Sequence, residues 1–123
     1  MFIRAFLPIA IGMTEIKIKL EQMKLAIITA IKEFEKDIRV QLKKAEVKTF
    51  SFREVTGYRD STEDSIESNW FSSEMNQTES ILFYAFVKKE NVDKLFELIE
   101  DFNNNQKTLS HIHLAVLNIE KSN

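Results

Sequence analysis

Residues 81–87 (ILFYAFV) form an unbroken run of seven apolar or aromatic side chains. Glu79 and Ser80 precede the run, and Lys88, Lys89, Glu90 and Asn91 close it. A run this short, rich in aromatic and β-branched residues, reads as a strand rather than a helix. A strand with one wet face alternates apolar with polar residues. This one does not, so both of its faces are expected to be buried. Helices of the same chain can cover one face. The second face needs another layer, and 123 residues are few to supply it. The expectation is a small α+β domain that associates through the back of its sheet.

Composition narrows the function classes. The length suits one domain, and 44 % apolar residues with ten Phe are enough for a core. Lys and Arg number 17 against 19 Asp and Glu, a net charge of −2. That balance argues against broad binding to nucleic acid or an anionic membrane, which needs a basic surface. The absence of Cys removes disulfides, thiolate zinc sites and thiol nucleophiles, and fits a reducing, cytoplasmic setting. Only two Gly and one Pro occur, so turns fall to Asn, Asp and Ser. A phosphate-cradling Gly-rich loop is ruled out.

Residues 1–22 differ in character from the rest of the chain. Segment 1–13 (MFIRAFLPIAIGM) puts one Arg ahead of a short apolar run, well under the ~20 residues of a membrane span. It has the order of a secretory signal without an Ala-x-Ala-like cleavage site. Segment 14–20 (TEIKIKL) alternates like a short strand or arm. The reading is a disordered N-terminal extension with no membrane insertion, ahead of a domain over 23–119 and a tail at 120–123.

Residues 24–31 (KLAIITAI) form a second strand expected to be buried on both faces. The period then changes. Phe34, Ile38, Leu42 and Ala45 share one face of a helix over 33–45. Glu33, Glu35 and Asp37 come early in it and Lys43 and Lys44 late, which suits the helix dipole. Residues 47–59 (VKTFSFREVTGYR) alternate, with Phe50 and Phe52 on one side and Thr49, Ser51 and Arg53 on the other. This is an edge strand or long arm, broken at Gly57. Residues 60–78 are polar and acidic, with Trp70 and Phe71 in their middle. A stretch of more than ~15 residues without period is usually a functional or mobile loop. A second helix over 91–102 carries the stripe Val92, Leu95, Phe96, Ile99 and Phe102. Asn91 is its expected N-cap, and 103–105 (NNN) its left-handed stop. Residues 111–119 (HIHLAVLNI) make the last strand.

The order β-α-β-β-α-β is the ferredoxin-like split βαβ arrangement, an antiparallel sheet with two helices on one face. Right-handed crossovers place strands one and three at its centre. Those are the two strands that lack a polar face, so pattern and topology agree. The uncovered face is left to meet a partner.

Many functions share this fold. The paired Cys of copper-chaperone domains are absent, and 81–87 lacks the Lys/Arg-Gly-aromatic signature of RNA-recognition modules. Where acylphosphatases place an Arg in a Gly-rich loop, Lys32-Glu33 leads straight into the helix. From Met23 onward the chain resembles the PII-like group of trimeric signalling proteins. Met23-Lys24 opens an apolar strand, and a helix with a late basic turn follows. The long second strand then ends in Thr56-Gly57-Tyr58-Arg59-Asp60, similar to the Gly-aromatic-x-Arg stretch at the base of the PII effector loop. A long loop and an acidic, amphipathic second helix complete the likeness over 23–119.

The resemblance implies a cytoplasmic homotrimer that binds a small ligand, an adenine nucleotide or a divalent metal, in clefts between subunits. It implies a displayed loop, here 60–78, docking onto a membrane transporter or efflux system. The sequence departs from the family twice. The Tyr modification motif is missing from 60–78, so uridylylation is not expected. In place of a Gly- and base-rich turn after the second helix stands 103–110, whose sole base is Lys107.

Each candidate residue has a plainer reading beside it. Trp70 and Phe71 are partner-docking residues if the loop is displayed, and buried packing if it folds back. Gly57, Tyr58, Arg59 and Lys107 line a ligand cleft, or mark a bend beside solvated cations. His111 and His113 lie on one face of a strand and could share a metal, but nothing near in sequence completes the site. The acids of 60–78 match no calcium-loop spacing and read as a solvated loop. No nucleophile, base and orienting group can be assembled, so catalysis is not expected. The alternative to a PII-like sensor is a ferredoxin-like oligomeric interaction domain without a ligand.

Overall fold

A computed structural model describes residues 23–58 and 77–123. The elements run β1 (Met23–Ile31), a 3₁₀ turn (Lys32–Phe34), α1 (Glu35–Lys44), β2 (Phe50–Tyr58), β3 (Gln77–Lys88), α2 (Lys89–Asn105) and β4 (His113–Asn118). The sheet order is β2-β3-β1-β4, with every pair antiparallel. The two strands without a polar face, β1 and β3, are the inner ones, as the sequence predicts.

Register shows how one side of the sheet becomes the core. Ala26 faces Ala85, Ile28 faces Phe83, and Ala30 faces Ile81; all six side chains are buried. Phe34, Ile38 and Leu42 from the first helical segment and Leu95 and Ile99 from α2 close over them. Phe34 and Phe102 meet edge to face with centroids 5.0 Å apart. Burying a large apolar side chain stabilises by about 1.5–3 kcal/mol, so this layer dominates the fold's stability.

Several element ends differ from the sequence reading. β2 starts at Phe50 rather than 47, and Gly57 does not break it, because the strand pairs with β3 through Tyr58. α2 begins at Lys89, so Asn91 lies inside it, and its N-cap Lys88 makes no side-chain cap bond. Asn103–Asn105 likewise belong to the helix, and the residue after it, Gln106, is extended at φ −86°. The left-handed residue lies elsewhere: Glu46, at φ 62°, ends α1. β4 starts at His113 because Asn103 holds the preceding residue. Its Nδ2 donates to the Ile112 carbonyl, and its Oδ1 accepts the Ile112 N–H, both at 2.8 Å. β3 is longer than its apolar run, because Gln77–Ser80 pair with the end of β2.

Candidate functional site

On the other face of the sheet Thr29 and Ser80 are buried at one end, and an apolar patch stands exposed towards the opposite end. Phe86 faces Leu25 and Tyr84 faces Ile27 across the β1–β3 pair; Leu117 and Ala115 face the same two β1 residues from β4. Tyr84, Leu117 and Phe86 are exposed, Phe86 to 52 %. Aliphatic and aromatic side chains contiguous over three strands form the kind of patch that marks an association surface.

The predicted ligand residues fall at one end of the sheet. Gly57 is buried near the end of β2, paired with Thr78. Tyr58 follows it, 71 % exposed and opposite Gln77. Arg59, Trp70 and Phe71 lie outside the described residues. Lys107 is exposed in the turn between α2 and β4. That turn lies at the same end, because β4 runs antiparallel to β1 and begins opposite Thr29. However, β2 and β4 are the two outer strands. Three inter-strand spacings, roughly 14 Å, therefore separate the loop base from the Lys107 turn within one chain. A cleft using both needs a neighbouring copy.

The turn is organised by amides instead of glycines. Gln106 donates from Nε2 to the carbonyls of Thr108 and Ser110, and its Oε1 accepts from the Thr108 N–H at 2.7 Å. The last of these bonds occupies a backbone N–H of the kind a Gly-rich loop would offer to a phosphate. His111 and His113 are half-buried at the start of β4, His111 just ahead of the strand. Among the described residues no three His, Asp or Glu gather as a metal site, so this pair alone would have to hold an ion.

A charge cluster not anticipated from sequence sits beside the loop base. Lys32 Nζ pairs with Glu54 Oε1 and lies 3.9 Å from Glu79 Oε2. The Glu54 hydrogen bond and charge, then Glu79, raise the Lys32 pKa above the ordinary lysine range. The three residues are far apart in sequence. Only register brings them together: Glu54 pairs with Ile81, and Ile31 with Ser80.

An all-antiparallel sheet with two helices on one face and a long β2–β3 connection defines an α+β, ferredoxin-like fold of the PII-like kind. Solved structures share it. A DUF3240 family protein from Shewanella baltica matches with a TM-score of 0.58 at 14 % identity, over 83 % of this chain and 94 % of its own. CPII, a nitrogen regulatory PII-like protein from Thiomonas intermedia bound to ADP, AMP and bicarbonate, matches with 0.51 at 17 %, over 77 % and 91 %. A Bacillus cereus protein related to NIF3 matches with 0.58 at 12 %, over 82 % of this chain but 26 % of its own. No protein-family model and no curated protein matches the sequence. At these identities the likeness is one of fold. Among the described residues no helix is long and apolar enough to cross a membrane.

Proposed function

We propose that the chain is a PII-like regulatory protein, a cytoplasmic homotrimer that senses a small ligand and reports it to a membrane transporter or efflux system. The observation that carries the reading is the exposed apolar patch of Tyr84, Phe86 and Leu117 on the sheet's back face, on a PII-like fold. Three such faces turned inward would bury Tyr84 and Phe86. They would also bring the loop base of one copy towards the Lys107 turn of the next, closing the gap that one chain leaves. Tyr58 and Arg59 would then face Lys107 across the cleft. Two cations there suit an anionic ligand, with Arg59 able to bind it in a bidentate manner. The CPII structure holds ADP and AMP, which makes an adenine nucleotide the first ligand to try and a divalent metal on His111 and His113 the second. Trp70 and Phe71 of the 60–78 loop would be the docking residues. The protein has no catalytic role in this reading.

The test is the solution mass of the full chain by light scattering, followed by thermal unfolding with ADP and then with zinc. The expected result is a trimer whose melting temperature rises with ADP, an effect lost in Arg59→Ala. A ligand at 100 times its Kd would add about 2.7 kcal/mol. A monomer overturns the proposal. A dimer stabilised by neither compound replaces it with the ligand-free interaction domain.

A further inference from the structure

The helix side of the molecule holds a second unassigned surface. A groove of about 750 Å³ runs between α1 and the start of β2. Its floor is apolar: Val40, Val47 and Phe50. Val40 is 48 % exposed on the outer face of α1, and Phe52, two residues along β2 on the same side as Phe50, is 40 % exposed. Phe52 stacks on Phe83 with centroids 4.8 Å apart, so the apolar floor continues along the strand from the core outward.

The rim is basic. Lys36, Lys43 and Lys48 line it, and among the described residues none of the three has an ion-pair partner. Arg39 lines it too but is held by Glu35 at 3.0 Å. Glu46 is the one acid on the rim. The chain as a whole is acidic, so this cluster runs against its average.

The third feature is a sheet edge that no described strand covers. β2 pairs only with β3 and forms one border of the described sheet. The outward N–H and C=O groups of an edge strand are a template for another strand, and β2 contains no proline to block one.

We infer that this groove docks an extended acidic segment of another protein, added to β2 as a fifth strand. Main-chain bonds to the β2 edge would supply affinity. Every second side chain of the added strand would face the helix side; apolar ones there would cover Phe50, Phe52 and Val40, and carboxylates there would meet Lys36, Lys43 and Lys48. A peptide fits better than a polynucleotide or an anionic membrane. Neither of those can pair with a strand edge. The groove lies on the helix side, away from the sheet's back face.

The test uses the full chain and a fluorescein-labelled peptide of about eight residues, a strand's length, with Ile and Glu taking turns at every second position and Ser between them. Fluorescence anisotropy should show saturable binding that weakens with salt and disappears when alternate peptide amides are N-methylated. The paired substitution Lys43→Glu with Lys48→Glu should weaken it about tenfold, with circular dichroism and solution mass unchanged. Equal binding of the peptide with Lys in place of Glu overturns the inference, as does full affinity in the double variant. Lysine-dependent binding of a single-stranded oligonucleotide or phosphatidylserine vesicles in place of the peptide overturns it as well. Two further outcomes would give the groove to a different occupant. Self-association that the double variant abolishes would assign it to a second copy. Peptide binding seen only after 60–76 is replaced by a Gly-Ser linker would assign it to the chain's own acidic segment.

Discussion

Glu46 ends α1 in the left-handed region, at φ 62°. Its N–H bonds the Lys43 carbonyl at 3.0 Å, and the Val47 N–H bonds the Leu42 carbonyl at 2.9 Å. This is the paired-bond motif that usually carries glycine at the left-handed position. Leu42 and Val47, which bracket it, are both buried, so packing holds the bend against the preference of an L-residue. The strain costs roughly 1 kcal/mol. Glu46→Gly is therefore expected to raise unfolding free energy by about that amount in urea titration, with an unchanged m-value. Nothing in the sequence marks the position, which falls between the helix read over 33–45 and the strand read over 47–59. Lys32 was equally invisible. The sequence shows its charge, but its two carboxylates arrive through strand register.

At the scale of elements, periodicity located every helix and strand, while side-chain chemistry moved their ends. The stripe from Val92 to Phe102 identified α2 correctly, and Phe50 with Phe52 gave β2 its inward face. The boundary between α2 and β4 was not readable, because Asn103 looks like a helix stop and is in fact a clamp. Its side-chain amide makes both bonds that a neighbouring strand would have made to Ile112. Asn103→Leu is about isosteric but leaves two partly buried backbone groups unmatched. The expected cost is about 1–3 kcal/mol. Hydrogen exchange should show early loss of protection at Ile112 and along β4 before the rest of the sheet opens.

For the whole molecule, the unbroken apolar run at 81–87 carried most of the information. It placed β3 in the interior and required a cover for its second face. Helices could be counted from the sequence, and none was left over to supply that cover. The candidate site was far less legible. Gly57 and Tyr58 do lie at the loop base, yet what would make them a site is a neighbouring copy, and one chain's sequence does not encode geometry between copies. The back face can be tested by a single charge. Phe86→Glu is expected to change little in the isolated chain, because Phe86 is already half-exposed. Buried in an assembly, an unpaired carboxylate costs several kcal/mol. Sizing with light scattering should therefore show monomers with unchanged circular dichroism; an intact oligomer would move the interface off this face.

The position of β1 has one more consequence, for the order in which the chain can fold. β1 is the first described strand in sequence, but both of its neighbours, β3 and β4, come from beyond residue 76. The Lys24–Asn118 hydrogen bond closes a separation of 94 positions. During synthesis β1 must wait unpaired until β3, residues 77–88, has emerged, and it lacks its second neighbour until β4 follows. Contacts this distant in sequence make folding slow, and the interval leaves β1 as the segment most in need of protection from other nascent chains.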